Sequence, residues 1–403
     1  MNKALSIAFD AGNILLENGA EISRVEETMN SIASGFGQQE KNFFILSNGI
    51  IATGNDYAKA KFIPIKGTQL SRLVEVNQLS RDISSGITDI DTAQQRIEQI
   101  KTMPAKHWLE TVIGVAFGVA AFCILFGGSL IDSAITLAVG LIVGAYMCFA
   151  TPHLSRIFGN LFGGLIGGLL CIIATRIGLG QHLPNMIIGT IIALVPGVPF
   201  TNGIRDIANE DYIAGTTRLL DAFMVFLCIA GGVGLAFATD GIFNGGIIRL
   251  TAPETDSITS NFFIQIGSAF IGTIGFSILF GAPRKSYLAC GLTGLIGWIF
   301  YLGTLLWLGS TPAVAAFVGA FFVDISSHLL AKIQKCPSTV YLICGIIPLV
   351  PGGGIFWTAY YMVTNQMHNA SMSGFVAIKI TIAIAIAIIS SKSIFNKLQS
   401  LKH

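Results

Sequence analysis

The chain has 403 residues, of which 52% are hydrophobic and 11% charged, with a formal net charge of +2. An ordinary soluble domain carries about 25% charged residues, so this composition excludes a simple soluble protein, and so small a net charge offers no footprint for nucleic acid. The seven cysteines show neither CxxC pairing nor zinc-ligand spacing and read as small apolar packing residues, so neither a metal nor a cofactor is expected.

The charges are unevenly placed. Residues 1–107 hold 11 Lys/Arg and 12 Asp/Glu, and the remaining 296 residues hold only 13 and 10. The expected division is therefore a soluble α+β module over 1–105, followed by membrane-embedded stretches over 106–240 and 241–403. The opening MNKALSIAFDAGN has no uninterrupted apolar core and does not read as a signal peptide, which predicts a cytoplasmic module.

Within the module, Leu5, Phe9, Gly12 and Leu16 recur at helical spacing, and so do Ile22, Val25, Met29 and Ile32. Phe43–Ser47 and Ile50–Thr53 flank Asn48-Gly49, a hairpin signal that rests on positive φ at both turn residues. Lys61–Ile65 predicts a third strand, kept to the sheet edge because Pro64 cannot donate to a central ladder. Leu70, Leu73, Val76 and Ile83 predict a third helix, and Thr88–Ile100 a fourth with Asp89 or Asp91 near its cap. The charged stretch Glu21–Glu27 reads as a solvated helix face, since no His, Cys or ligand set accompanies it. No catalytic residues are expected, and the chain does not read as an enzyme.

A membrane-crossing helix needs roughly 20 mostly apolar residues. Ten windows qualify: 111–128, 130–150, 158–177, 183–203, 217–239, 260–281, 286–308, 311–330, 338–360 and 372–391. With a cytoplasmic module, Arg156, Arg205, Arg218, Arg284, Lys285, Lys332, Lys335, Lys392, Lys397 and Lys402 fall at cytoplasmic ends. The other side keeps Arg176 and Arg249 beside Asp240, Glu254 and Asp256. That bias is the one the positive-inside rule demands, and it predicts both termini inside a bacterial inner membrane.

Residues 188–197 and 343–352 align without a gap at a shift of 155, with seven of ten positions identical and a shared Leu-Val-Pro-Gly. This lays span four on span nine, and a repeat unit of five spans reverses orientation, so the expected architecture is two inverted five-helix repeats, the plan of many secondary transporters. Pro196, Gly197, Pro351, Gly352 and Gly353 break both equivalent spans, and unwound backbone at membrane depth survives only against protein or a water-filled cavity. These five residues are candidate solute contacts. Asn202, Arg205, Asp206 and Arg218 follow the first break as contacts, gate residues or simple anchors. Asp221, Asp324, His328 and Lys379 are ionisable groups inside apolar spans, where each costs several kcal/mol unless paired or hydrated. Asp324 and His328 share a helix face and are candidates for a coupling proton; Asp221 and Lys379 join the candidate solute contacts, although Lys379 also suits snorkelling.

Three stretches together resemble the threonine/serine exporter family. They are Gly12-x-x-Leu15-Leu16-x-x-Gly19-Ala20-Glu21-x-x-Arg24-Val25-Glu26-Glu27-x-Met29, then Val195-Pro196-Gly197 with Thr201–Asp206 and Gly215–Arg218, then Pro337-Ser338 with Ile346–Gly353. The resemblance covers nearly the whole chain. It implies ten spans, a cytoplasmic N-terminal domain, and export of small amino acids driven by protons. In some relatives the two halves are separate subunits associated with succinate export, so a C4 dicarboxylate is the second expected solute. The implied partners are that solute, protons and the lipid bilayer, and a homo-oligomer is compatible with either solute. A membrane-anchored enzyme or sensor acting through residues 1–105 is a reading of a different class.

Overall fold

The apolar positions of the first hundred residues do become helix faces. The computed structural model describes residues 2–54, 56–64, 67–250 and 262–400. Helices α1 (Lys3–Glu17) and α2 (Ile22–Gly35) bury Leu5, Phe9, Leu16, Val25 and Met29 against α3 (Leu70–Ser84), α4 (Ile90–Thr102) and a three-stranded sheet. Burial of each such side chain stabilises by about 1.5–3 kcal/mol. Gly12 has no room for a methyl group, since a Cβ there would lie 2.4 Å from Met29 Sδ.

The sheet runs β1 (Lys41–Leu46), β2 (Gly49–Gly54), β3 (Tyr57–Phe62), all antiparallel with β2 central. The expected hairpin is there, but for another local reason. Leu46 pairs with Gly49, so Ser47 and Asn48 make the turn, and neither Asn48 nor Gly49 has positive φ. The third strand begins at Tyr57 rather than Lys61, and Pro64 lies beyond its end, where it removes no ladder donor. Asp89 is the N-cap residue of α4, with Asp91 in the first turn.

Between α3 and α4, Arg96 Nη1 donates to Asp82 Oδ2 at 2.6 Å and Gln78 Nε2 to Oδ1 at 2.8 Å. The Arg96 hydrogen bond holds the Asp82 carboxyl below its ordinary range. A depressed carboxyl contributes stability that is present above its unfolded pKa of about 3.9 and is lost as pH falls through the folded value. Arg96→Gln should therefore lower stability by about 0.2–1 kcal/mol at pH 7, with the difference vanishing below about pH 4; thermal midpoints of the two purified proteins against pH check this.

The rest of the chain is a helical body that carries the protein across a membrane several times. Among the described residues, eight helices are long and apolar enough to cross a bilayer, or ten if two bent pairs each count as one span. The straight ones are α5 (Trp108–Leu125), α6 (Leu130–Phe149), α7 (Arg156–Arg176), α10 (Tyr212–Asn244), α11 (Phe262–Leu279), α12 (Tyr287–Trp307), α13 (Pro312–Gln334) and α16 (Met367–Ser400). The bent pairs are α8 (Leu183–Ile191) with α9 (Gly197–Ala208), and α14 (Ser338–Gly345) with α15 (Gly352–Val363). All ten expected windows fall on these elements within a few residues, whereas Glu254, Asp256 and Lys402 lie outside the described residues.

In lipid the hydrophobic effect does not drive helices together, so close contact of small residues must do it. Helix α7 presents Gly159, Gly163, Gly164, Gly167 and Gly168, and it lies along α10. A Cβ at Gly164 would sit 2.6 Å from Ile229 O, and one at Gly232 only 2.1 Å from Leu161 O. Helices α5 and α11 meet equally closely, where a Cβ at Gly275 would be 2.5 Å from Gly114 O.

The N-terminal module is packed directly onto this body. Its core continues into Val198, Ala214, Ala289, Val340 and Tyr341, and Phe280 O and Gly281 O accept the backbone N–H groups of Leu70 and Ser71 at 3.0 and 2.9 Å.

Candidate functional site

Each bent pair owes its break to the same five residues of backbone. A short 3₁₀ turn (Ile192–Leu194, Ile347–Leu349) is followed by an extended valine and then by Pro196 or Pro351 with φ, ψ of −78°, 60° and −76°, 56°. The proline cannot donate and the chain restarts as a new helix at Gly197 or Gly352, bent by 63° and 43° from the preceding segment. The two breaks are in contact. A Cβ on Gly197 would lie 2.6 Å from Ile347 Cδ1, and one on Gly352 would lie 3.1 Å from Ile192 Cδ1. Gly353 packs beside the same crossing, near Ile188.

From the first break α9 runs about 12 Å to Arg205, at the end of the body that carries the N-terminal module. There the turn between α1 and α2 is inserted into a buried polar cluster. Gly19, at φ +82°, turns the chain with Val198 against it, and Gly19 O accepts from Asn202 Nδ2. Arg218 Nη2 donates to Ala20 O at 2.7 Å and Nη1 to Asp206 Oδ2 at 2.7 Å, while Asp206 Oδ1 accepts from Ile22 N–H at 2.9 Å. Glu21 Oε2 is 2.6 Å from Arg205 Nη1, and Asn209 Nδ2 reaches Ser23 Oγ at 2.6 Å. Asn202 and Asp206 are fully buried and Arg218 is 2% exposed. Buried charges persist only when paired, and here Asp206 is paired with Arg218 and Glu21 with Arg205, while Arg218 Nε has no hydrogen-bond partner among the described residues.

The Glu21–Glu27 stretch is therefore not simply a solvated face. Glu21 and Ser23 point into the junction, whereas Glu26 and Glu27 stay exposed. The sequence pattern hid this because the body that buries Glu21 lies more than 180 residues away in the chain.

Beside the cluster opens a cavity of about 490 Å³. Its walls are Glu21 at the N-cap of α2, Arg24 and Glu27 of α2, Arg205 and Asn209 at the end of α9, Asp324, His328 and Lys332 of α13, and Pro337-Ser338 at the start of α14. Asp324 is 2% exposed; its Oδ2 accepts from Ser391 Oγ of α16 and lies 3.8 Å from His328 Nε2. Of the expected site residues, the structure thus brings together Arg205, Asp324 and His328 at the cavity. Asn202, Asp206 and Arg218 lie immediately behind it, and Pro196, Gly197, Pro351, Gly352 and Gly353 at the crossing. Two stand apart. Asp221 pairs with Arg156 of α7, and Lys379 is exposed on the flank of α16 beside Phe375, Val376 and Ile378.

The far end of the body is closed differently. Phe237, Phe356, Trp357 and Tyr360 stack edge-on and face-on, with Trp357 also against Tyr361, and Tyr360 Oη accepts from Leu250 N–H at 2.7 Å and donates to Ile248 O at 3.1 Å. Nearby, Arg176 holds Asp240 through two hydrogen bonds of 3.0 and 2.7 Å, and Asp132 accepts from Gln181 N–H at 2.7 Å with His182 Nδ1 at the same distance from its other oxygen. Asp132 escaped the sequence reading, yet Ser129-x-x-Asp132 is a capping-box signature that the structure realises.

The family model described as "Putative threonine/serine exporter" matches residues 6–239, and the one described as "Threonine/Serine exporter, ThrE" matches residues 265–394. The chain belongs to the threonine/serine exporter family. The Corynebacterium glutamicum "Threonine/serine exporter" is 26% identical over 94% of this chain and 79% of its own length. The Mycobacterium tuberculosis "Probable threonine/serine exporter" is 23% identical over 92% and 72%. The Klebsiella aerogenes "Probable succinate transporter subunit YjjP" is 26% identical over 57% of this chain and 90% of its own length. No solved structure matches. Membership of an exporter family and at least eight bilayer-length helices make this a multi-pass membrane protein of the transporter class.

Proposed function

We propose that this family member is a proton-coupled secondary exporter of small amino acids of the threonine/serine kind, built as two inverted five-helix repeats that alternate access about the breaks in α8–α9 and α14–α15. The observation that carries this reading is the crossed contact of the breaks. Adding 155 to Ile192 and Gly197 gives Ile347 and Gly352, so the contact of Gly197 with Ile347 is the repeat-mate of the contact of Gly352 with Ile192. The same shift carries α9 onto α15 and the start of α10 onto the start of α16. The members of each pair are offset by five spans, an odd number, which supports opposite orientations and a two-fold relation in the membrane plane.

In this reading the solute passes from the cavity at Arg205 to the crossing, where α9 and α15 begin. A helix start carries a partial positive charge suited to a carboxylate. Asn202, Asp206 and Arg218 form the seal behind the cavity, and Asp324 with His328 carries the proton. The soluble module and both termini face the cytoplasm, which is the side favoured by the basic residues. A C4 dicarboxylate is the second reading, favoured by the YjjP relative and by the cations Arg24, Arg81, Arg205, Lys332 and Lys335 lining the cavity.

The test is efflux of labelled threonine, serine or succinate from liposomes holding the purified protein, with and without a pH gradient. Gradient-dependent loss of the amino acids is expected; loss of succinate alone would shift the assignment to dicarboxylates, and no loss of any from folded protein would overturn it. In the same assay Asp324→Asn should abolish the response to the gradient while leaving solute exchange at equal pH, since a neutral side chain keeps the Ser391 contact and cannot ionise. Retention of full gradient dependence would remove Asp324 from the proton path.

A further inference from the structure

At the junction the chain supplies one of its own carboxylates to a guanidinium of the cavity. Glu21 Oε2 lies 2.6 Å from Arg205 Nη1, and Arg24 Nε holds the other oxygen at 3.1 Å. Glu21 is 3% exposed and Arg205 8%. The same Nη1 of Arg205 donates to Thr339 Oγ1 of α14 at 2.8 Å, so this side chain joins three parts: the turn of the soluble module, the second half of one bent pair and the first half of the other. The cavity they line is of the size that ordinarily holds a small ligand, and its walls carry both signs of charge.

We propose that Arg205 takes the carboxylate of the solute and that Glu21 occupies this position as a built-in surrogate, so that an arriving small carboxylate displaces Glu21 and loosens the grip of the soluble module on α9. This rests on the reading of the cavity as the loading side of an exporter. The physical case is one of exchange. Building a new buried ion pair costs several kcal/mol in desolvation for each ion, whereas replacing one carboxylate by another on a guanidinium already withdrawn from water adds no further buried charge. The displaced Glu21 keeps a cation, because Arg24 belongs to the same turn of helix and moves with it. Once Glu21 leaves, Arg205 still touches Thr339, so the two bent pairs stay linked while the N-terminal turn is released. The ammonium of an α-amino acid would find Glu27 on the same wall, which makes a zwitterion a better fit than a simple acid.

The surrogate reading predicts opposite signs for two neighbouring substitutions. Equilibrium binding of L-threonine to the purified full-length protein in detergent is the measurement, with threoninamide, which lacks the carboxylate, as control. Glu21→Gln removes the internal competitor and should tighten the apparent Kd by about tenfold or more, equivalent to about 1.4 kcal/mol. Glu21→Asp, too short to reach Arg205 but still charged, should tighten it as well, and serves if the glutamine variant is unstable. Arg205→Gln should abolish binding, and threoninamide should bind none of the proteins. A merely structural salt bridge would instead weaken binding in every variant alike, and that outcome, or no threonine binding by either folded Glu21 variant, overturns the proposal. Because binding is read without transport, inverted affinities alongside absent efflux would sink the export assignment and leave this site standing.

Discussion

Asp206→Ala is expected to unseat the N-terminal module from the helical body. The substitution leaves Arg218, 2% exposed, without its carboxylate and the Ile22 N–H without its acceptor. Breaking a buried pair by removing one partner costs about 3–5 kcal/mol, most of it the stranded charge. The thermal midpoint of the purified protein should fall by several degrees, and limited proteolysis should begin to cleave near Met103–Lys106, where the chain passes from module to body. Replacing both partners with apolar residues of like volume, Asp206→Leu with Arg218→Met, should restore much of the loss, because no unpaired charge then remains. If the double variant is as unstable as Asp206→Ala, the backbone contacts to Ala20 and Ile22 outweigh the ion pair.

The second large effect is expected at the crossing. Gly197→Ala places a methyl group 2.6 Å from Ile347 Cδ1, so either the buried Ile347 side chain must turn within its packed surroundings or one break must shift against the other. Overpacking of this kind costs about 1–3 kcal/mol, which expressed on the rearrangement step slows export about tenfold. Ile347→Val deletes the clashing Cδ1 and should recover most of the rate when combined with Gly197→Ala. Gly352→Ala should be milder, since its Cβ would lie 3.1 Å from Ile192 Cδ1. Initial efflux rates of the four proteins decide the matter. Failure of Ile347→Val to rescue would mean that the glycine serves its own backbone and not the contact.

Much of the fold was legible because membrane helices announce themselves by length and apolarity alone. The ten windows needed no tertiary knowledge, and the two breaks were visible in Leu-Val-Pro-Gly because proline and glycine act locally. The hairpin at Asn48-Gly49 shows how a correct element can rest on a wrong cause. The apolar runs and their register, not positive φ, set its turn one residue earlier. What stayed hidden depends on distant packing. Nothing around Glu21 reveals that Arg205 will sit on it, and nothing around Lys379 reveals that its face of α16 is exposed. Ionisable residues in a span can be found from sequence, whereas the direction each faces is set by neighbours far along the chain.

The two ends of the body are closed by unlike materials. At the module end Asn202 is held by a hydrogen bond and Arg205 and Asp206 by charge, and a shift of 155 along the chain puts Trp357, Tyr360 and Tyr361 in their places at the far end. These seals have different heat capacities. Parting stacked aromatic rings exposes apolar surface, which raises heat capacity, so the resistance of that end to opening fades on cooling. Parting ion pairs hydrates charges, a process that becomes less favourable as temperature rises. In an alternating exporter of this build, warming would tighten both seals by different amounts. The balance between its two open forms would then drift with temperature even with no gradient and no solute, and growth temperature becomes a variable that selects on Tyr360 and Arg205 separately.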